Sequence, residues 1–225
     1  MAQYYGTMAD KAFAAAYRLV SACEAAGVDL TDPDGIARGV YDRYLPDDMS
    51  YCSGASRLVI WDEYCDFIIK LPLYDTCERY CDREVEIYED AIRQGWTDQF
   101  AWCACYQRSD WVDDIYIPGI YVMEYIYCNE EDVYDSAWKY GYEAYCRERG
   151  LDSSTYDAAE EYNDWNYADD DDMVLDCIEA QLLDDDVRRA FCVFMRKWTI
   201  NDIHCGNAGL KGDKMVLVDY GGWNW

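Results

Sequence analysis

A short polar segment near the end of the chain constrains the fold most, because it joins a loop to a hairpin. Asp202 and Asn207 stand five residues apart in the run NDIHCGN (201–207). The run KGDK (211–214) suits a hairpin turn, and the strand-like run VLV (216–218) leads to Asp219. The sequence therefore predicts a polar loop and a hairpin that together present two aspartates and an asparagine.

The composition indicates a folded protein with a sizeable core. The chain has 225 residues, of which 52% are hydrophobic and 16% aromatic, so it is not disordered. This length suits one domain or two closely packed lobes. No apolar run approaches the ~18 residues of a membrane span, and no signal peptide begins the chain. We therefore expect a cytoplasmic protein without a membrane partner.

The twelve cysteines are expected to be reduced and mostly buried in that compartment. His204 is the only histidine, and neither close cysteine pair has zinc-knuckle spacing, so a structural zinc site is the less favoured alternative.

The net charge of -27, from 19 basic and 46 acidic residues, restricts the class of partner. A surface of this sign repels nucleic acid and anionic membranes, so direct nucleic-acid binding is not expected. Two alternatives remain, namely a basic protein partner or high solubility alone.

Hydrophobic periodicity indicates an α+β protein. The pattern predicts helices over 8–26, 75–94, 131–149, 154–163 and 173–198, and strands over 57–61, 64–71 and 120–127. Gly95 is expected to stop the second helix, and Pro72 to end the second strand or place it at a sheet edge. Because strands and one helix come first and helices follow, we predict two lobes, over residues 1–127 and 128–225.

The polar loop resembles the catalytic loop of the protein-kinase-like superfamily. The run DIHCGN (202–207) is similar to the Asp-x-His-x-Gly-Asn form of aminoglycoside-phosphotransferase-type and small bacterial or phage kinase-like proteins, and DYG (219–221) is a variant of Asp-Phe-Gly. The resemblance implies a two-lobed kinase-like fold with a reduced C-terminal lobe, and ATP and Mg²⁺ as cofactors. It also implies that Asp202 is the base, that Asn207 and Asp219 bind the metal, and that His204 supports the loop.

The resemblance extends from about residue 50 to residue 221 and includes a lysine and a glutamate. Lys70 ends the strand FIIK (67–70) in the place of the lysine that anchors ATP, although an ordinary strand lysine would fit equally well. Glu84 resembles the helix glutamate that pairs with this lysine. Glu86 is the competing residue, but it points about 200° away from Glu84 around the helix.

A second part of the resemblance concerns nucleotide binding. The run VMEYI (122–126) is similar to the kinase hinge, which implies that Met123 lies at the back of the adenine pocket. It also implies that backbone groups of Glu124, Tyr125 and Ile126 bind the adenine edge. An apolar core strand is the alternative. Gly54 is in the place of the glycine-rich loop that covers the phosphates.

Three departures from the family pattern leave the activity open. Ile200 occupies a position where protein kinases carry His or Tyr, and the glycine-rich loop is reduced to Gly54. The sequence ends shortly after Gly221, without the segment that docks peptides, so a conventional protein kinase is not expected. Trp223 and Trp225 are expected to pack in the core or to anchor a partner. Two function classes therefore remain: an ATP-dependent phosphotransferase, or an inactive pseudokinase-type acidic protein that binds or inhibits a basic partner.

Overall fold

The computed structural model describes residues 2–28, 46–53, 56–62, 66–73, 75–112, 115–117, 119–165, 170–182 and 184–221. The helices are α1 (Ala2–Ala25), α2 (Asp75–Gln94), α3 (Glu130–Arg149), α4 (Tyr156–Trp165), α5 (Asp170–Ala180) and α6 (Asp185–Lys197). The strands are β1 (Met49–Ser53), β2 (Arg57–Asp62), β3 (Phe67–Pro72), β4 (Cys103–Gln107), β5 (Asp110–Val112), β6 (Ile115–Ile117), β7 (Ile120–Glu124), β8 (Ala208–Lys211) and β9 (Lys214–Leu217).

The chain divides into two compact units, one of residues 1–92 and 101–125 and the other of residues 93–100 and 126–225. The mixture of helices with antiparallel sheets in two units confirms the expected α+β, two-lobed layout. The predicted lobe limits, 1–127 and 128–225, stay a proposal.

The first unit contains an antiparallel sheet with the strand order β1-β2-β3-β7-β4. Helix α1 packs on β3, β7 and β4 through a narrow apolar face. Three alanines on this face, Ala12, Ala15 and Ala16, are buried, and their small side chains let the helix approach the sheet closely. Strand β3 begins at Phe67, later than predicted, and ends at Pro72 inside the sheet.

Helix α2 has the bounds predicted from the charged amphipathic pattern. Its Ile87 and Ala91 are completely buried, and Gly95 follows with a φ of 85°, which explains its role as a helix stop. Ile92, the next residue after Ala91, is 50% exposed.

In the second unit, α3 is capped at both ends. The Asn129 side chain accepts from the Glu131 amide at the start, and Gly150 has a left-handed conformation at the end. Helix α4 packs on α3 through aromatic rings, with Tyr162 of α4 edge-on to Trp138 of α3 at a centroid distance of 5.5 Å.

The single helix predicted over 173–198 is wrong, because the structure has two helices there, α5 and α6. Asp184 accepts hydrogen bonds from the amides of Asp186 and Val187, so it caps a new helix. The apolar periodicity continues from one helix into the next and conceals this break.

Some predictions fall on residues outside the described ranges. They concern the phosphate-covering role of Gly54 and the packing of Trp223 and Trp225. Within the described ranges, no helix is long and apolar enough to cross a membrane.

Candidate active site

The loop with the predicted base begins where α6 ends. The amide of Thr199 donates to the Arg196 carbonyl (3.1 Å), and that of Ile200 donates to the Met195 carbonyl (3.0 Å). Thr199 has a φ of 48°, a left-handed conformation that β-branched residues rarely adopt. This local turn ends the helix and directs the chain towards Asp202.

Asn207 is tied to the backbone of Asp202. Its side-chain Nδ2 donates to the Asp202 carbonyl oxygen at 2.9 Å, and its own amide donates to the His204 carbonyl at 2.9 Å. The short 3₁₀ turn Cys205–Asn207 makes this return possible. Since Nδ2 is used in this bond, Oδ1 is the amide atom with the right chemistry to bind a cation.

The β8–β9 hairpin brings Asn207 next to the segment that contains Asp219. Ala208 pairs with Leu217, and the Val218 amide donates to the Asn207 carbonyl at 3.0 Å. The two predicted metal ligands therefore lie at the open end of one hairpin. The structure thus joins Asn207 to Asp202 by a hydrogen bond and to Val218, the residue before Asp219, by another.

Buried contacts hold the hairpin in place. Leu210 donates to the Tyr127 carbonyl (3.1 Å), and Leu217 donates to the Gln99 carbonyl (2.9 Å). A Cβ on Gly209 would lie 2.8 Å from the Tyr127 carbonyl oxygen, so this close approach requires glycine. The position of Asn207 therefore depends on backbone that is anchored on both strands.

Tyr220 fixes the chain after Asp219. Its ring is almost fully buried and lies edge-on against Phe100, with 5.0 Å between the ring centroids. In the chain, Asp219 thus follows a hydrogen-bonded strand and precedes a residue with a buried aromatic ring.

His204 orients the loop through its Nδ1 atom. Its Nδ1 accepts from the Gly206 amide at 3.0 Å, which places the proton of the neutral ring on Nε2. That nitrogen lies 3.7 Å from the Asp202 carboxylate, longer than a hydrogen bond. Asp202 keeps 40% of its side chain exposed, so the predicted base is accessible to solvent.

Glu130, at the start of α3, is a neighbour of this loop that sequence analysis missed. Its Oε1 lies 3.1 Å from the position that a Cβ on Gly206 would occupy. Its place in the sequence, as the first residue of a helix after a strand, carries no signal of this contact.

Lys70 and Glu84 are brought together in the first unit. Lys70 Nζ donates to both carboxylate oxygens of Glu84, at 3.0 and 2.9 Å, and the two residues are 5% and 2% exposed. Glu86 is exposed, so the structure favours Glu84 over its competitor. Burial, together with Glu84, raises the pKa of the neighbouring Cys81 thiol to about 12, which makes this thiol unreactive.

Arg57, which the sequence did not single out, shares this carboxylate. Its Nη1 donates to Glu84 Oε1 at 2.8 Å, and the residue is 8% exposed. The buried carboxylate of Glu84 thus pairs with two basic side chains, one from β2 and one from β3.

The predicted hinge residues differ in exposure and in the use of their amides. Met123 is buried, whereas Tyr125 is 48% exposed. The Glu124 amide donates to the Trp102 carbonyl (2.7 Å), and the Tyr125 amide donates to the Asp66 carbonyl (2.6 Å). Both amides are therefore used within the sheet, and an adenine ring would need other backbone groups of this segment. Ile126, in the second unit, is buried.

A metal centre made only of His, Cys, Asp and Glu is not found in the part of the chain that the structure describes. Mg²⁺ commonly needs only one or two protein oxygens, because phosphates and water complete its shell. The amide oxygen of Asn207 and the carboxylate of Asp219 fit this chemistry.

No family model and no curated protein matches the chain. Among solved structures, it is similar to the ADP-bound aminoglycoside phosphotransferase APH(2'')-Ib, with a TM-score of 0.36 and 14% identity over 82% of this chain and 69% of that chain. The GDP and kanamycin complex of APH(2'')-IIia gives a TM-score of 0.39 and 12% identity, over 78% and 67%. An aminoglycoside phosphotransferase from Alicyclobacillus acidocaldarius subsp. acidocaldarius DSM 446 gives 0.33 and 16%, over 76% and 61%.

These enzymes are of the protein-kinase-like class that the sequence motifs resemble.

Proposed function

We propose that this protein is a kinase-like phosphotransferase that uses ATP and Mg²⁺. The observation that supports the proposal best is the hydrogen bond between the Asn207 side chain and the Asp202 backbone. This bond ties the Asn207 side chain to the residue that carries the proposed base, and the β8–β9 hairpin connects Asn207 to the segment that leads to Asp219. Phosphoryl transfer needs little else from the second unit, because it depends on positioned charge rather than on covalent chemistry.

Each residue has a distinct role in the proposal. Asp202 accepts the proton of the acceptor hydroxyl, and the oxygen of that hydroxyl attacks the γ-phosphorus of ATP. The bond between the γ-phosphorus and the bridging oxygen breaks, and ADP leaves. Asn207 and Asp219 hold Mg²⁺, which when bound neutralises phosphate charge. Lys70 binds the phosphates and Glu84 orients it.

Adenine recognition is the second part of the proposal. Met123 lines the adenine pocket, and the edge of the ring is bound by the carbonyl of Glu124 and by backbone groups of Tyr125 and Ile126. Gly54 contributes an amide near the phosphates.

Thermal unfolding with and without MgATP tests nucleotide binding, because a ligand that binds only the native state raises its Tm. We expect a rise that depends on Mg²⁺. In the Asp219→Ala variant this rise should shrink, whereas Asp213→Ala, an exposed position in the same hairpin, should behave as the unmodified protein does. Equal shifts in both variants would contradict the metal role of Asp219.

Turnover tests the base. We expect Asp202→Ala to abolish phosphoryl transfer to a hydroxyl acceptor while it leaves MgATP binding and the Tm of the free protein nearly unchanged. Transfer at the unmodified rate in this variant would show that Asp202 is not the base.

A second candidate function is an acidic interaction protein without activity, and the net charge of -27 favours it. A partner would then be a basic protein held by charge, with binding that weakens steeply as salt increases. No Tm shift at millimolar MgATP, combined with salt-sensitive binding to a basic protein such as a histone, would support this candidate over the phosphotransferase.

A further inference from the structure

Arg57 and Lys70 are close neighbours because both donate to the same oxygen of Glu84. The donor distances to Oε1 are 2.8 Å from Arg57 Nη1 and 3.0 Å from Lys70 Nζ. Because both nitrogens bond the same oxygen, the distance between them cannot exceed the sum of these two distances. The three side chains carry one negative and two positive charges, in a chain whose net charge is strongly negative.

The sheet register explains this arrangement. Val59 is directly opposite Lys70, and Arg57 is opposite Pro72. Residues two apart on a strand share a face, so Arg57 and Lys70 are diagonal neighbours on one face of the β2–β3 pair. Arg57 is also the first residue of β2, three positions after Gly54.

We propose that Arg57 is a second phosphate-binding residue of the nucleotide site, an inference that rests on the proposed function. A guanidinium offers five N–H donors in a planar fork that matches phosphate oxygens, and this one lies beside Lys70, to which the proposed function assigns phosphate binding. A glycine-rich loop normally covers the phosphates with backbone amides. Arg57, three positions after Gly54 in the sequence, supplies a charged donor for the same purpose.

The competing interpretation is structural, in which Arg57 only ties β2 to α2 through Glu84. The two interpretations differ in what a substitution changes. A structural role would affect all ligands of the site alike, whereas a phosphate-binding role would affect ligands in proportion to the phosphates they carry.

The experiment measures the affinity of ATP, ADP and adenosine for the full chain by calorimetry, in the unmodified protein, Arg57→Met and Arg57→Lys. We expect Arg57→Met to weaken ATP binding about tenfold or more, as for the loss of a charge-assisted hydrogen bond. ADP binding should weaken less, and adenosine binding should not change. Arg57→Lys should restore part of the ATP affinity, because it keeps the charge but not the planar fork.

Arg18→Met is the matched control, since it removes one positive charge from an exposed ion pair with Asp48 in the same unit. It should leave all three affinities unchanged. If Arg57→Met does not fold, Arg57→Lys decides alone: ATP binding several-fold weaker with adenosine unchanged supports the proposal, and unchanged ATP binding overturns it.

Failure of this inference can be told apart from failure of the proposed function. If the unmodified protein binds ATP and Arg57→Met binds it equally well, or loses all three ligands equally, Arg57 is only structural and the phosphotransferase proposal stands. If the unmodified protein binds neither ATP nor ADP, both proposals are overturned.

Discussion

The side-chain amide of Asn207 donates a hydrogen bond to the backbone carbonyl of Asp202 at 2.9 Å. This bond closes the loop on itself, because it joins the side chain of Asn207 to the backbone five residues earlier.

Replacement of Asn207 by Ala removes this bond. We expect the free energy of unfolding to fall by about 1 kcal/mol, the usual net value of one intramolecular hydrogen bond. Urea unfolding measures the change. Asn201→Ala, an exposed asparagine in the same loop, is the control and should stay within about 0.5 kcal/mol. Equal costs in both variants would show that the Asn207 bond does not stabilise the loop.

Glu84→Gln should destabilise the protein more than Lys70→Met does. The first change leaves two buried cations facing a neutral amide, a situation that typically costs about 3–5 kcal/mol. The second change leaves Glu84 paired with Arg57 at 2.8 Å, so the carboxylate keeps a counterion. Urea unfolding at neutral pH compares the variants, and a Lys70→Met cost as large as that of Glu84→Gln would contradict the sharing of the carboxylate.

Gly209→Ala should weaken the anchoring of the hairpin. The added Cβ would lie 2.5 Å from Ile126 Cγ2 and 2.8 Å from the Tyr127 carbonyl oxygen, and backbone cannot move aside cheaply. We expect a loss of roughly 1–3 kcal/mol, as for an overpacked core. The control is Gly212→Asn, in the turn of the same hairpin, where a Cβ meets nothing within 4 Å and asparagine tolerates the positive φ of 68°.

Tyr121 should make the stability fall at alkaline pH. Burial, and then the hydrogen bond to Asp82 and the charge of Glu78, raise the pKa of its phenol in the folded state. A tyrosine in the unfolded chain ionises near pH ~10, so above this pH the folded state retains a proton that the unfolded state loses. The stabilisation is complete below pH ~10 and is lost as the pH rises further.

Tyr121→Phe isolates this effect from that of other tyrosines. We expect the free energy of unfolding of the unmodified protein to fall more steeply between pH 9 and 11 than that of Tyr121→Phe, by up to one proton's linkage. Parallel pH profiles for the two proteins would contradict the raised pKa.

Secondary structure followed from the sequence where the signal was long and local. Helix α2 was predicted to the residue because twenty residues of amphipathic pattern end at a glycine. Strand β4, with the sequence CACYQ, was missed because it has no β-branched residue. Strands β5 and β6 have three residues each, too few for a two-residue period to be recognised.

The residues of the candidate site also differ in how far the sequence predicts them. Asp202 and Asn207 were found because their relationship lies within six consecutive residues, whereas Arg57 and Glu130 meet their partners through long-range packing. The sequence spacing between Arg57 and Glu84 does not predict their contact. This contact depends on the β2–β3 register and on the angle of α2. The break at Asp184 was hidden among three consecutive aspartates.

The pairing of Glu84 with two basic side chains has an evolutionary consequence. Because either cation alone can neutralise the buried carboxylate, a lineage could lose Lys70 or Arg57 singly and still fold. Under the proposed function, such a substitution would weaken nucleotide binding while the protein still folds. The shared carboxylate thus opens a gradual route from an enzyme to a catalytically silent binding protein, along which every intermediate keeps its architecture.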